Sequence, residues 1–400
     1  MSLKLIDPNS AWQALVDDGF HVEIRDQHLL MHNVPFVKSD KSIGRGTLIC
    51  TYFVDSGVTQ PPDNHQVWWT EDYPCFANGM AIEQLRNEDG EREILPGVVI
   101  RHRFSNKPDQ FINGFSDHYS KLTHYARLLQ AQAAVIVEGI NAQTGVESVA
   151  EQCSQSPFAY SDTASARASV LMTSSKLTGL VIGIVGVGGT GGYVLDQVAK
   201  TPVASIHLFD ADTFEQHNAF RAPGAASLAD IKKNQQKVDY FSQIYSKIHT
   251  GVYPHPYKID VGTVNELDRC DFVFLCVDHG MTRALAGNHL ISRNIPFVDV
   301  GMNLHQVAKT NKLIGTCRTT LCTSGNAADF SRLVPLDNDD EDILYRQNIQ
   351  ISDMNAINAQ FAVMMWKQYF GFYQDDFGVT NLTFSLNTMS LVRSIKAPSV

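Results

Sequence analysis

Residues 180–192 read LVIGIVGVGGTGG, and this stretch decides the fold. The apolar run LVIGIV ends at Val185, GVGGTGG follows, and residues 193–199 carry a helical pattern. A buried strand, a turn made of glycines and a helix start together form a phosphate site. Glycine lets backbone N–H groups approach an anion, and the helix N-terminus adds about half a positive charge. Gly186, Gly188, Gly189 and Gly191 are therefore candidate cofactor-binding residues. Taken alone, Gly186-x-Gly188-x-x-Gly191 also satisfies the dinucleotide fingerprint. The loop by itself thus leaves NAD or FAD open, as well as tight helix–sheet packing with no ligand.

The residues downstream narrow the chemistry. A second strand, SIHLF at 205–209, ends in Asp210-Ala211-Asp212. An acid there reaches a ribose hydroxyl in NAD and ATP alike, so it does not discriminate. Asn218 and Arg221 follow, and Lys237 opens the apolar pattern Val238, Phe241, Ile244, Tyr245. A continuous apolar strand, FVFLCV at 272–277, leads into Asp278. Hydride transfer has no use for Asn, Arg, Lys and Asp gathered on one phosphate tail. Nucleotidyl transfer does: cations neutralise the phosphates as pyrophosphate leaves, and a strand-end carboxylate can hold Mg²⁺. The C-terminal ends of parallel strands are where ligands sit in open α/β sheets.

GVGGTGG, then FDADTFEQHNAFR, then Lys237, then the strand ending in Asp278 resemble the ThiF/MoeB and ubiquitin-activating enzyme superfamily. That family reads GxGGxGs, then DxDxVexsNLxRQ, then a lysine, then a strand ending in Asp. The likeness covers residues 177–302 and weakens beyond. It implies a Rossmann-like, mostly parallel α/β sheet and ATP-dependent adenylation of the C-terminal carboxylate of a ubiquitin-like or sulfur-carrier protein. It further implies phosphate-loop roles for Gly188 and Gly191 and ribose binding by Asp212. Asn218, Arg221 and Lys237 match the family's phosphate-end residues, and Asp278 matches the Mg²⁺-binding aspartate. Arg167, on a capped segment starting at Ser161 or Asp162, is the candidate for the arginine that reaches a partner's ATP in family homodimers. The pattern departs in places: Ala219 replaces the Leu of NLxR, Ala222 replaces the Gln, and the Arg-to-Lys spacing is long, so Lys232 and Lys233 compete with Lys237.

The net charge of −10 argues against nucleic acid as main partner. No run of about 18 apolar residues suggests a membrane span, and the charged first residues do not read as a signal, so a cytoplasmic protein is expected. The seven cysteines form no CxxC pair, so the structural zinc of several relatives is not expected. Cys276 and Cys270 read as packing. Cys322, or less favourably Cys317, is the candidate thioester nucleophile, because small residues at 323–325 follow it and a nucleophilic thiol gains from a helix start and nearby cations.

Residues 1–145 read as a separate, smaller α+β domain. A helix is expected over 12–16, short strands at 21–24, 28–31, 46–53, 67–69 and 97–103, turns at Val34-Pro35 and 61–64, and a helix over 119–135 with Leu122, Tyr125, Leu128 and Leu129 on one stripe. Its VPFV and PPDNHQVWW stretches are similar to an uncharacterised domain that precedes ThiF-like domains in bacterial ubiquitin-like conjugation operons. His65, His102 and His118 read as core or turn histidines. Residues 146–175 read as linker plus the Arg167 helix, and 176–400 as the adenylation domain. In the latter, an acidic loop at 337–342 precedes a long helix over 354–369 that buries Ile357, Phe361, Met364, Met365 and Tyr369, and a late strand covers 380–385. The leading expectation is a homodimeric activating enzyme that uses ATP and Mg²⁺. It would act on a ubiquitin-like protein and hand it to a conjugating enzyme, as in bacterial pathways of antiviral defence. A sulfur-carrier adenylyltransferase and a non-adenylating nucleotide-binding Rossmann protein are the alternatives.

Overall fold

A computed structural model describes residues 11–55, 58–107, 114–145, 156–160, 162–168, 170–336 and 349–395. The acidic loop at 337–342, Cys153, Ser161 and much of the expected linker lie outside the described residues, as does the side chain of Arg167. The chain divides into two compact units, 1–155 with 161–172, and 156–160 with 173–400.

The second unit holds an eight-stranded sheet. Its order is Val252–His255, Ser205–Phe209, Val181–Val185, Phe272–Leu275, Phe297–Val307, Lys312–Cys322, Val379–Ser385, Ser390–Ile395. The first five strands pair in parallel and the last three antiparallel. This is the expected Rossmann-like, mostly parallel α/β sheet. The parallel strands read as continuous apolar runs because both faces are covered. Ile182, Ile184, Phe272 and Phe274 are fully buried beneath the helices Gly189–Val198, Lys237–Tyr245 and Ser352–Tyr369. Val185, Val273, Leu275 and Phe297 pack on the opposite face with Leu290 and Phe330. From Val181–Val185 the chain first builds outward in one direction and then crosses over to Phe272–Leu275 on the other side. That reversal places a crevice beyond Val185, where ligands bind in such sheets.

The long helix corrects the expected phase. Met364 and Tyr369 are each 45% exposed, whereas Met354, Asn355, Asn358, Ala359, Ala362, Val363, Met365 and Trp366 are buried. Two asparagines sit inside, so a reading that places polar residues outward rotates the helix.

The first unit is α+β, as expected. Its antiparallel sheet runs Val22–Arg25, His28–Val37, Ile43–Thr51, Gln66–Trp69, Val98–Ser105, Arg86–Leu95. The helices Ala11–Asp17 and His118–Ile136 bury Trp12, Leu15, Leu122, Tyr125 and Leu129 against Met31, Phe36, Trp69 and Phe104. Val34-Pro35 is strand rather than turn. The strand passes a bulge at Asn33, whose φ is +61°, and Pro35 then pairs with Arg45. Pro35 falls between the pairing with Val22–Arg25, which ends at Met31, and the bridge from Val37 to Cys75, so its missing N–H costs no ladder bond on that side. The strand Arg86–Leu95 is an addition to the expected set. Its first eight residues are mostly charged and exposed, and only Ile94 and Leu95 at its end are apolar, so it carries no apolar alternation.

Candidate functional site

The phosphate loop starts where Val181–Val185 ends. Gly186 has φ +84°, and a Cβ there would lie 2.8 Å from the Cys276 carbonyl oxygen, so only glycine suits the turn. Its N–H donates to the Phe209 carbonyl at 2.8 Å. A Cβ on Gly191 would lie 1.8 Å from the Gly186 oxygen, which lets the helix Gly189–Val198 start tight against the strand. Gly188 caps that helix with no side-chain bond, and the space where its Cβ would project is open. The first N–H groups of this helix, which lack intrahelical partners, therefore border open space.

The loop is held from the neighbouring strand. One Asp210 carboxylate oxygen accepts from the Val187 N–H at 2.9 Å, and the other accepts from the Asp212 N–H at 2.8 Å. Burial nevertheless pushes the Asp210 carboxyl above its ordinary range. The Asp210 carboxylate thus shapes the loop by accepting from two backbone N–H groups. Asp212 points outward, and Lys237 Nζ donates to its Oδ2 at 2.7 Å. The Lys237 ammonium holds the Asp212 carboxyl below the usual carboxylate range, with weaker help from Lys258 and Arg221. Lys237 opens the helix Lys237–Tyr245, and its side chain is 8% exposed. Lys233 instead pairs with exposed Asp230, and Lys232 ends the short helix Leu228–Lys232.

Asn218 is 3% exposed, and its Oδ1 accepts from the Glu215 N–H at 2.8 Å in a capping box. Its side chain thereby fixes the turn. Its carbonyl accepts from the Arg221 N–H at 3.1 Å, so the turn carries Arg221. Arg221 Nε is buried with no hydrogen-bond partner, a donor left over for an anion. Asp278 is exposed, two residues past Cys276, whose carbonyl abuts Gly186. The crevice thus brings together the glycine loop, Asp212, Lys237, Arg221 and the Asp278 loop. Arg167 ends the helix Thr163–Arg167, where the Asp162 carboxylate accepts from the Ala164 and Ser165 N–H groups, and it clusters with the first unit.

The thiol expectation is corrected. Cys322 ends the strand Lys312–Cys322, is 1% exposed and packs with Phe297 and Phe330. The helix Ala328–Leu333 folds back over it, and burial pushes its thiol up to about 12. Cys317 is equally buried on the opposite face, its thiol pushed up to about 11. Neither is the exposed, acidic thiol that thioester chemistry needs.

Two groups escaped the sequence reading. Buried Asn355, on the helix Ser352–Tyr369, meets the phosphate loop. Asp299, fully buried on Phe297–Val307, binds both Arg283 Nε at 2.8 Å and Arg318 Nη2 at 2.5 Å. Arg283 also donates to the Val277 carbonyl at 2.6 Å, which steadies the residue before Asp278. Among the described residues no group of three or more His, Cys, Asp or Glu is placed to hold a metal ion, and no helix is long and apolar enough to cross a membrane.

This sheet and loop are those of a known class. The ThiF family model matches residues 165–396, more than half of the chain, and the protein belongs to that family. Residues 10–163 match a domain of unknown function, DUF6791. A curated relative, ubiquitin-like modifier-activating enzyme 5 of Drosophila ananassae, is 23% identical over 252 residues, 56% of this chain. The matched part spans 60% of that relative's length. Among solved structures, E. coli MccB with MccA-N7isoASN is 17% identical, covering 58% of this chain and 68% of that one, with a TM-score of 0.47. MccB with ATP is 16% identical over the same shares, with a TM-score of 0.42. PaaA is 16% identical, covering 57% and 76%, with a TM-score of 0.44.

Proposed function

We propose that the protein adenylates the C-terminal carboxylate of a ubiquitin-like protein at the expense of ATP. The observation that carries the reading is the crevice itself: an open helix start at Gly188 with no side-chain cap bond, beside Lys237, Asp212, the orphaned Arg221 Nε and the Asp278 loop. Membership of the ThiF family supports it.

In this reading the triphosphate lies along the glycine loop, and Asp212 takes the ribose hydroxyls. A carboxylate oxygen of the partner attacks the α-phosphorus. The new O–P bond replaces the bond to the β-phosphate oxygen, and pyrophosphate leaves with that electron pair. The carboxylate needs no base, so positioning and charge carry the step. Arg221 and Lys237 neutralise the departing charge. Asp278, an exposed hard-oxygen ligand at a strand end, fits Mg²⁺, which neutralises phosphate charge when bound. The resemblance adds a homodimer in which Arg167 reaches the partner's ATP, a conjugating enzyme downstream and a cytoplasmic setting. The reading stops at the acyl-adenylate, because both candidate thiols are buried.

The test is ATP–pyrophosphate exchange with and without an added ubiquitin-like protein. Exchange that depends on that partner's free C-terminus is expected. Binding of NAD in preference to ATP, with no exchange, overturns the reading.

A further inference from the structure

The helix Ser352–Tyr369 carries two asparagines whose burial is complete or nearly so, Asn355 and Asn358. Asparagine is a poor helix former, and a buried amide is costly unless hydrogen-bonded. An apolar residue would pack at either place more simply. Asn355 instead ties two remote pieces of chain to one amide. Thr190, in the first turn of the phosphate-loop helix, donates its hydroxyl to Asn355 Oδ1 at 3.0 Å. Asn355 Nδ2 donates to the Arg221 carbonyl at 3.3 Å. Gly189 makes the room, since a Cβ there would lie 2.1 Å from that same Nδ2. A second link runs alongside: Ser352 bonds the Tyr193 hydroxyl, which donates to the Ala222 carbonyl at 3.5 Å.

We infer that Asn355 is a positioning residue for the proposed reaction, holding Arg221 in register with the phosphate loop so that its unpartnered Nε meets the leaving pyrophosphate. The inference rests on the adenylation reading. Arg221 is gripped on both sides, its N–H by the Asn218 carbonyl and its carbonyl by Asn355. The guanidinium therefore springs from a fixed point relative to Gly189 and Thr190. Asn358, one turn along, supplies an internal control. It has the same chemistry and burial, but it accepts from Thr319 Oγ1 at 3.0 Å and donates to the Gly301 carbonyl at 3.2 Å, so its bonds reach neither Arg221 nor the glycine loop.

The experiment is calorimetric titration of the full chain with Mg·ATP and, separately, with adenosine, alongside thermal melts. The variants are Asn355→Ala, Asn355→Asp, Thr190→Val, Asn358→Ala, Arg221→Ala and the Asn355→Ala/Arg221→Ala pair. Asn355→Ala is expected to weaken ATP about tenfold and to leave adenosine unchanged. Asn358→Ala should lower the melting temperature comparably yet bind ATP as the wild type does. Coupled residues give non-additive effects, so the double variant should be little worse than Arg221→Ala alone. If Asn355→Ala does not fold, Asn355→Asp keeps the volume and loses the donor, and Thr190→Val removes only the hydroxyl that orients the amide. Each should weaken ATP selectively. Equal ATP binding by the Asn355, Thr190 and Asn358 variants, or strict additivity with Arg221→Ala, overturns the inference. A wild type that binds no ATP overturns the adenylation reading instead.

Discussion

Lys237 and Asp212 form an ion pair at 2.7 Å across the mouth of the crevice, and the lysine backbone N–H donates to the Asp212 carbonyl at 2.8 Å. The same two residues are the proposed phosphate and ribose contacts, so nucleotide binding competes with their own pairing. Lys237 holds the Asp212 carboxyl below its ordinary range. A depressed carboxyl pKa adds stability that is present above the unfolded value of about 3.9 and is lost as pH falls through the folded value. Lys237→Met should raise the Asp212 pKa towards about 3.9, as read from its carboxyl carbon resonance. It should also weaken Mg·ATP. An unchanged Asp212 titration would show that the pair does not persist in solution.

Gly188 and Gly191 separate binding from folding. Nothing lies within 4 Å of a Cβ placed on Gly188, although its ψ of −131° lies outside the regions other residues favour. Gly188→Ala should lose less stability than Gly191→Ala, while its methyl, projecting into the open side of the loop, lowers ATP affinity about tenfold or more. In Gly191→Ala the added methyl meets the Gly186 oxygen at 1.8 Å. That overpacking should cost about 3 kcal/mol or more. Parallel melts and nucleotide titrations decide it; equal losses of stability in the two variants would contradict the geometry.

Cys322 should behave as a packing thiol. With 1% exposure and a pKa raised to about 12, it should resist iodoacetamide at pH 8 in the native protein and react on unfolding. Cys322→Ala should cost roughly 1 kcal/mol and leave pyrophosphate exchange intact. A reducible adduct with the ubiquitin-like partner that disappears in this variant would show that the strand end opens during the reaction.

Asp278 is exposed in the loop three residues past the strand Phe272–Leu275, so its removal should leave the core packing in place. Asp278→Ala should keep the wild-type melting temperature and lose pyrophosphate exchange. Normal partner-dependent exchange in this variant would remove Asp278 from the site.

The legible parts of this chain were those where one local signal has one physical meaning. The run 180–192 foretold strand, turn and helix because apolar continuity and glycine spacing admit few other structures. Lys237 was separable from Lys232 and Lys233 because an amphipathic helix begins at it. The rest depended on contacts distant in sequence. Asn355 lies 165 residues from Thr190 and 134 from Arg221, so nothing local marked it as buried. Asn218 matched a functional pattern, yet its amide closes a capping box. Cys322 precedes a loop in the sequence, but its exposure depends on the helix Ala328–Leu333 folding back over it. The strand Arg86–Leu95 had no alternation to read, since its charged side chains are mostly exposed on a sheet edge.

His207 and His255 sit on adjacent strands, with Nδ1 of the first 2.9 Å from Nε2 of the second and the rings stacked 5.2 Å apart. One nitrogen must donate and the other accept, so the two rings cannot both become imidazolium and keep their bond. Burial lowers both pKa values, His207 to about 4, and Arg269 adds to this while Glu266 opposes it at His255. A lowered histidine pKa means that the unfolded chain binds more protons between the two values. Stability from this pair is therefore complete above the unfolded value of about 6.5 and declines as pH falls towards about 4, where His207 protonates in the fold. Urea melts of His207→Gln against the wild type should show a shallower pH dependence across that window, since other buried histidines still contribute to both. Equal slopes, or a His207 ring that protonates near 6.5 by NMR, would show that the stacked pair is not maintained.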